Sequence, residues 1–400
     1  MGSSVPVLST FGSEPFGTLL RGRAFFCLFL LQSNSMRILQ ISSAKTFGGG
    51  ERHVVDLARE LQGRGHEVFV AVRPTSEWQD RLSFVPPERF LQVSIRNSFG
   101  VFSAKRIANF VKENNIEIVH AHVARDYIPA SIACMAAKPA KFVITRHVLF
   151  PLKPFNRFAL KNLSAAIGVS DAVGLELRKV FPFDKVQVIP NGLDVDRFNG
   201  TDNEQLRKEF RELHCLPLDA PIVGTLGELK ELKGQRDFVL AAHEVIARIP
   251  EARFVIVGKD NSSDRSFRRD LKRLVKVLGM DKNFLWLDWL DDTSAFFAGI
   301  DLFVSPSHSE SFGLAMLEAM ARGKAIVATS TEGAKQLMGS NGMLVPVNDA
   351  VGLANGIVAM LMDDGKRAEA GAVLKRTAAE KYSLEKMIDK TEHLYISVKD

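Results

Sequence analysis

Residues 302–329 read LFVSPSHSESFGLAMLEAMARGKAIVAT. An apolar run at Leu302–Val304 passes into a polar loop carrying Glu310. A helical stretch over Gly313–Arg322 follows, and a second apolar run at Ala325–Ala328 closes the segment. Strand, loop, helix and strand in so short a span make a βαβ unit, which belongs to a parallel sheet. The same rhythm extends outward in both directions. Upstream, strands are expected at Ile38–Ser42, Glu67–Val72, Ile118–Ala121, Phe142–Thr145, Ala166–Val169 and Val186–Pro190. A second series runs over Pro221–Leu226, Ala252–Val257, Asn283–Leu287, Leu302–Val304, Ala325–Ala328 and Gly342–Val345. Between them lie amphipathic segments such as His53–Arg64, Phe238–Arg248 and Arg265–Leu278. Two sets of six strands predict an α/β protein with two Rossmann-like doubly wound domains, their carboxyl strand ends facing a common cleft.

A chain of 400 residues is too long for one ordinary core, which agrees with two domains. Residues 36–195 form the first and 196–382 the second. Residues 383–400 form a last helix that crosses back onto the first domain. Residues 1–35 read differently, rich in Ser, Gly, Pro and Phe. Arg21 and Arg23 precede an apolar stretch from Ala24 to Leu31, the layout of an export signal. Met36 opens directly into a strand, so 1–35 are read as an extension, disordered or a start-site artefact, outside the fold. Hydrophobic residues at 46% and charged residues at 24% exclude a largely disordered chain. No apolar run approaches the roughly 20 residues that cross a bilayer. Cys27, Cys134 and Cys215 are too few for a disulfide framework, which points to a reducing cytoplasm. The net charge of +6 suits an anionic partner. With 28 Phe against 3 Tyr and 3 Trp and no long basic stripe, nucleic acid is not that partner.

The residues after strands carry the chemistry. Phe312–Leu314 are expected to form the first turn of a helix, where free N–H groups and the dipole favour a diphosphate. Glu310 sits at the loop tip. Glu318, among Leu317, Ala319 and Met320, is partly enclosed and needs a partner, such as ribose hydroxyls. Lys233-Gly234 follows the first strand of the second domain, a point charge with room for close approach. Gly48-Gly49-Gly50 is not a dinucleotide fingerprint, but it lets backbone approach a ligand across the cleft. His120 and His122 share one side of a strand end. With Asp126 they are either metal ligands or, more simply, hydrogen-bonded structure. His147 is a second cleft histidine. Asp194 and Asp196 spell DxD, yet they lie in a turn that aspartates cap. Residues 268–276 read as a solvated helix face. The loop 146–158 interleaves Arg146, Lys153 and Arg157 with phenylalanines, a pattern fitted to a lipid-linked acceptor or anionic headgroups.

Glu310 and Glu318 within SPSHSESFGLAMLEAMARGKAIVAT resemble the signature of glycosyltransferase family 4, retaining enzymes of the GT-B fold. IVHAH at 118–122, VIPNGLDVDRF at 188–198 and GELKELKGQRDF at 227–238 fit in the same order, as does the front segment at 36–68, which looks like bacterial cell-envelope and lipopolysaccharide transferases. The resemblance covers about residues 36–397. It implies transfer of a sugar from a nucleoside-diphosphate sugar to a hydroxyl acceptor, a glycolipid, lipopolysaccharide or other envelope glycan, with retention and with no metal or other cofactor. It implies Glu310, His122 and Lys233 as catalytic residues and Glu318 on the donor ribose. Phe312, Gly313, Leu314, Gly234, Gly49 and Gly50 then line the donor, with His147, Arg146, Lys153 and Arg157 toward the acceptor or membrane. One position departs. An arginine commonly stands five residues before the lysine, and here it is Glu228, with Lys230 as a substitute. A nucleotide-sugar epimerase of the same architecture and a non-catalytic partner subunit are the competing readings. The implied place of work is the cytoplasm, at the inner face of the cytoplasmic membrane.

Overall fold

The computed structural model describes residues 35–95, 100–198, 203–262 and 264–400. The reading of 1–35 as an extension therefore lies outside the described residues, apart from Ser35. The first sheet contains β1 (Arg37–Ser42), β2 (Glu67–Val72), β3 (Phe90–Gln92), β4 (Ile118–Ala121), β5 (Lys141–Arg146), β6 (Leu163–Gly168) and β7 (Val186–Val188). The second contains β8 (Ile222–Leu226), β9 (Arg253–Val257), β10 (Phe284–Leu287), β11 (Leu302–Ser305), β12 (Ala325–Thr329) and β13 (Met343–Val345). Their orders are 3-2-1-4-5-6-7 and 10-9-8-11-12-13, and the pairings are parallel. Both are doubly wound. The order reverses between β1 and β4 and again between β8 and β11, the switch points where such sheets bind ligands.

The first sheet has seven strands rather than the expected six. The added strand, β3, is three residues long at the sheet edge, just after a Pro-led turn at Pro87–Arg89. So short a half-exposed run has no period to read in the sequence.

Three of the helices that follow central strands border the cleft between the two sheets. After β1 comes α1 (Gly49–Gly63), which buries His53, Val54, Leu57, Ala58 and Leu61 on one stripe. It starts at the glycines, before the expected His53, with extended Gly48 as its cap. After β8 comes α2 (Gln235–Ile246), and after β11 comes α3 (Leu314–Ala321). The last helix, α4 (Leu384–Lys399), packs on the first domain. Its Met387, Ile388, Leu394 and Tyr395 join Met36, Ile38 and Val68 in one buried cluster. Each such side chain contributes roughly 1.5–3 kcal/mol on burial. Arg64, at the C-terminal cap of α1, grips α4 through Asp389 at 2.7 Å and Glu392 at 2.6 Å.

Candidate active site

A cleft of about 950 Å³ opens between the strand ends of the two sheets. From the first domain it is lined by Gly48–Arg52 and His147, and from the second by Glu228, Lys233 and residues 310–316 and 318, Phe312 among them.

The second-domain wall is built around two backbone reversals. Gly234 has φ +66°, and a Cβ there would stand 1.9 Å from the Pro306 carbonyl oxygen. Only glycine fits, and its close approach lays Lys233 beside the Pro306–Glu310 loop. The His308 N–H donates to the Leu232 carbonyl at 2.9 Å, joining the two loops. Lys233 Nζ then reaches Glu310 Oε2 at 2.5 Å. The second reversal is Gly313, at φ +98°. It caps α3, so the helix begins at Leu314 and Phe312 is not in its first turn. Phe312 borders the cleft while its ring is a core anchor, 2% exposed and edge-on to Tyr382 at 5.7 Å. Burying the ring outweighs extending the helix by a turn. The free N–H groups at the helix start are those of residues 313–316, all of which line the cleft.

Glu318 is 3% exposed and already partnered. Its Oε2 accepts from Thr293 Oγ1 at 2.7 Å, and its Oε1 is ion-paired with Arg52 of α1, in the other domain. Gly49 meets the same helix: a Cβ there would lie 2.9 Å from Leu314 Cδ1. Gly50 is less constrained, with only the His147 ring at 3.7 Å. Ser311 Oγ donates to the His147 carbonyl at 2.6 Å, a further link between the domains.

The histidines sort into two groups. His120 is consumed by structure: Nδ1 lies 2.5 Å from Tyr395 OH and Nε2 2.7 Å from Thr145 Oγ1. Asp126 accepts from the Ser43 N–H at 2.8 Å and from its hydroxyl, and burial raises its pKa to about 7. His120, His122 and Asp126 thus do not form a ligand set. His122 is buried behind His147, which lines the cleft. Its Nε2 stands 2.7 Å from Gln40 Oε1, and its Nδ1 3.5 Å from His147 Nε2. Burial, reinforced by neighbouring histidines, pushes the His122 and His147 pKa values well below the usual range, so both rings are neutral.

The loop after β5 divides as well. Arg146 is 6% exposed and donates to the Phe150 carbonyl, so it shapes the loop from inside instead of facing a membrane. Lys153 and Arg157 are exposed, beside Phe150 and Phe158. Asp194 Oδ1 accepts from the Arg197 N–H at 3.2 Å and caps the turn. The helix Ser266–Val277 buries Leu271 and Val275 and turns its charges outward.

Residues the sequence did not single out include Arg52, His53, Thr293 and Gln40. Arg52 stands two residues after the glycines at a helix start, which is the one signal available for it. The others carry no local pattern, because their partners come from distant strands.

Residues 47–197 match the family described as Glycosyltransferase Family 4, and residues 220–363 match Glycosyl transferases group 1. The chain belongs to the family 4 glycosyltransferases. It is 26% identical to the N-acetyl-alpha-D-glucosaminyl L-malate synthase of Bacillus anthracis, over 90% of this chain and 96% of that protein. It is also 26% identical to the lipopolysaccharide core biosynthesis glycosyltransferase LpsE of Rhizobium meliloti, over 86% and 94%. Among solved structures, a glycosyltransferase from Rickettsia africae superposes with a TM-score of 0.80 at 24% identity, covering 91% of this chain and 99% of that one. Anabaena Alr3699/HepE in complex with UDP gives 0.80 at 20%, covering 90% and 100%. The architecture is GT-B.

Within this glycosyltransferase, Glu228 is held in the cleft by Lys230 and by Asn261 Nδ2 at 3.0 Å. Burial works to raise its pKa. The hydrogen bonds from Lys230 and Asn261 outweigh that and keep the carboxylate ionised. Lys230 is therefore spent on Glu228 and does not replace the arginine.

Proposed function

We propose that the enzyme transfers a sugar from a nucleoside-diphosphate sugar to a hydroxyl of a cell-envelope glycan or glycolipid, with retention of anomeric configuration and without a metal ion. The observation that carries this reading is the placement of Lys233 and Glu310 beside the free N–H groups of α3, at the switch point of the second sheet. Of the named relatives, LpsE supports the acceptor class by its name, and the UDP and UDP-glucose complexes of HepE support the donor class.

In the reaction the bond from the sugar carbon to the diphosphate oxygen breaks. A bond from the same carbon to the acceptor oxygen forms on the same face, and the acceptor proton passes to the departing phosphate oxygen. Lys233 and the α3 N–H groups meet the charge that develops on the diphosphate. Glu310, once Lys233 turns to phosphate, faces the cationic sugar carbon. The ribose enters at Glu318, where its hydroxyls replace Arg52. His147 is the histidine at the cleft wall, and His122 acts behind it as a positioning residue. Nucleotide sugars should raise the melting temperature of the wild-type enzyme by mass action. The rise should shrink in Glu318→Ala; an equal rise in both would remove the ribose assignment.

No helix among the described residues is long and apolar enough to cross a membrane. Exposed Phe150 and Phe158, next to Lys153 and Arg157, support peripheral contact with an anionic leaflet on the cytoplasmic side. Vesicles containing phosphatidylglycerol should pellet the protein at low salt and release it at high salt. Equal recovery on purely zwitterionic vesicles would remove that part of the reading.

A further inference from the structure

We propose that His53, His122 and His147 form a binding site for a divalent transition-metal ion of the zinc class, opening into the cleft and separate from any requirement of the transfer reaction. The three imidazoles come from α1, the residue after β4 and the residue after β5. One ring nitrogen from each lies within 4.8 Å of the other two. The rings of His53 stand 4.9 Å from His147 and 5.5 Å from His122.

Two features of the cluster suit it to a metal. The first is His53 Nδ1, which is enclosed on a residue only 5% exposed; the Asn191 side chain approaches the ring, but no group meets this nitrogen in good hydrogen-bond geometry. A buried ring nitrogen left unpaired costs free energy that a ligand would recover. The second is the way His122 is held. Gln40 Nε2 donates to Tyr395 OH at 3.2 Å, which fixes the amide so that its oxygen faces His122 Nε2 at 2.7 Å. That oxygen can only accept, so Nε2 carries the proton and the Nδ1 lone pair is directed toward His147. A ligating histidine in proteins is usually held in this way, its second nitrogen tied to an acceptor behind it.

The distances are within reach of tetrahedral zinc. With Zn–N bonds of about 2.0–2.1 Å, ligand nitrogens stand about 3.3–3.4 Å apart. The His122–His147 pair is already at 3.5 Å. His53 closes the remaining gap by side-chain rotation. A set of neutral imidazoles selects zinc, copper or nickel over magnesium or calcium, which prefer oxygen. His147 lines the cleft and supplies the entry path, leaving the fourth position to water. An ion there would take the His122 lone pair and immobilise His147, so it would inhibit transfer. That consequence rests on the proposed function; the binding itself does not.

The test uses tag-free, full-length protein and zinc chloride alone, by titration calorimetry, with cobalt(II) as a visible-absorption probe. Wild-type protein should bind zinc and give the intense bands of tetrahedral cobalt. His147→Ala should weaken zinc at least about 10-fold, since loss of even an outer partner of a ligand costs 10–100-fold. His53→Gln should do the same, and His243→Ala, at an exposed histidine, should change nothing. Melting in EDTA checks that each variant is folded; if His53→Gln is not, His147→Ala decides, because its ring sits at the cleft wall. Absence of binding to the wild type, or equal binding by wild type and His147→Ala, overturns the site.

Discussion

Lys233→Ala should lower kcat/KM for nucleotide-sugar turnover by about 10²–10³-fold, the loss seen when one preorganised donor to a developing anion is removed. The cleft makes this lysine hard to replace. Lys230 is bound to Glu228, Arg52 to Glu318, and Lys259 lies 3.6 Å from Glu77. Each of those cations must leave an acidic partner before it can serve a phosphate. Lys233 is also paired, but its partner Glu310 is the group assigned to the sugar, so one donor engages both. Glu310→Gln should separate the two roles. It frees Lys233, so nucleotide affinity is retained, while turnover falls by about 10²-fold because the charge facing the sugar carbon is gone. Initial rates and a nucleotide titration on both variants measure this. Unchanged turnover in either variant would sink the assignment.

Gly234→Ala should be the most damaging single methyl in the second domain. The residue sits at φ +66°, where a Cβ costs roughly 1–2 kcal/mol by itself. The added carbon would also lie 1.9 Å from the Pro306 carbonyl oxygen, a backbone atom tied into the β11 loop. The chain must move there, so a total cost of about 3–5 kcal/mol is expected, with a fall in melting temperature of roughly 10 °C or more. Lys233 would be displaced with the loop, so activity should fall with stability. Gly50→Ala is the matched control. Its Cβ meets only the His147 ring at 3.7 Å, within a helix where alanine is favoured. It should leave the melting temperature unchanged or slightly raised. Similar losses in both variants would show that the close approach at Gly234 is not what positions the loop.

How far the sequence alone reaches can be seen at particular residues. The two parallel sheets were legible because their strands are buried on both faces and their helices present one apolar stripe. The βαβ rhythm of residues 302–329 therefore determined the fold class. Lys233-Gly234 and the Glu310–Glu318 segment were legible for a related reason, since each follows a central strand. Local order along the chain places them at the cleft. The edge strand β3 was not legible, being too short to carry a period.

What tertiary structure decided is which side chains meet. Arg52 and Glu318 are paired across the cleft although 266 residues apart in sequence, and Tyr395 reaches Gln40 from the far end of the chain. Burial of Phe312 overrode the helix start expected there, and Arg146 turned inward to a carbonyl of its own loop. His122 proved to stand behind His147, beside a third histidine that no local pattern marked. Periodicity depends on a residue's near neighbours and on which face it turns to the core. Pairing depends on how two separately folded sheets approach, and no window of sequence contains that information.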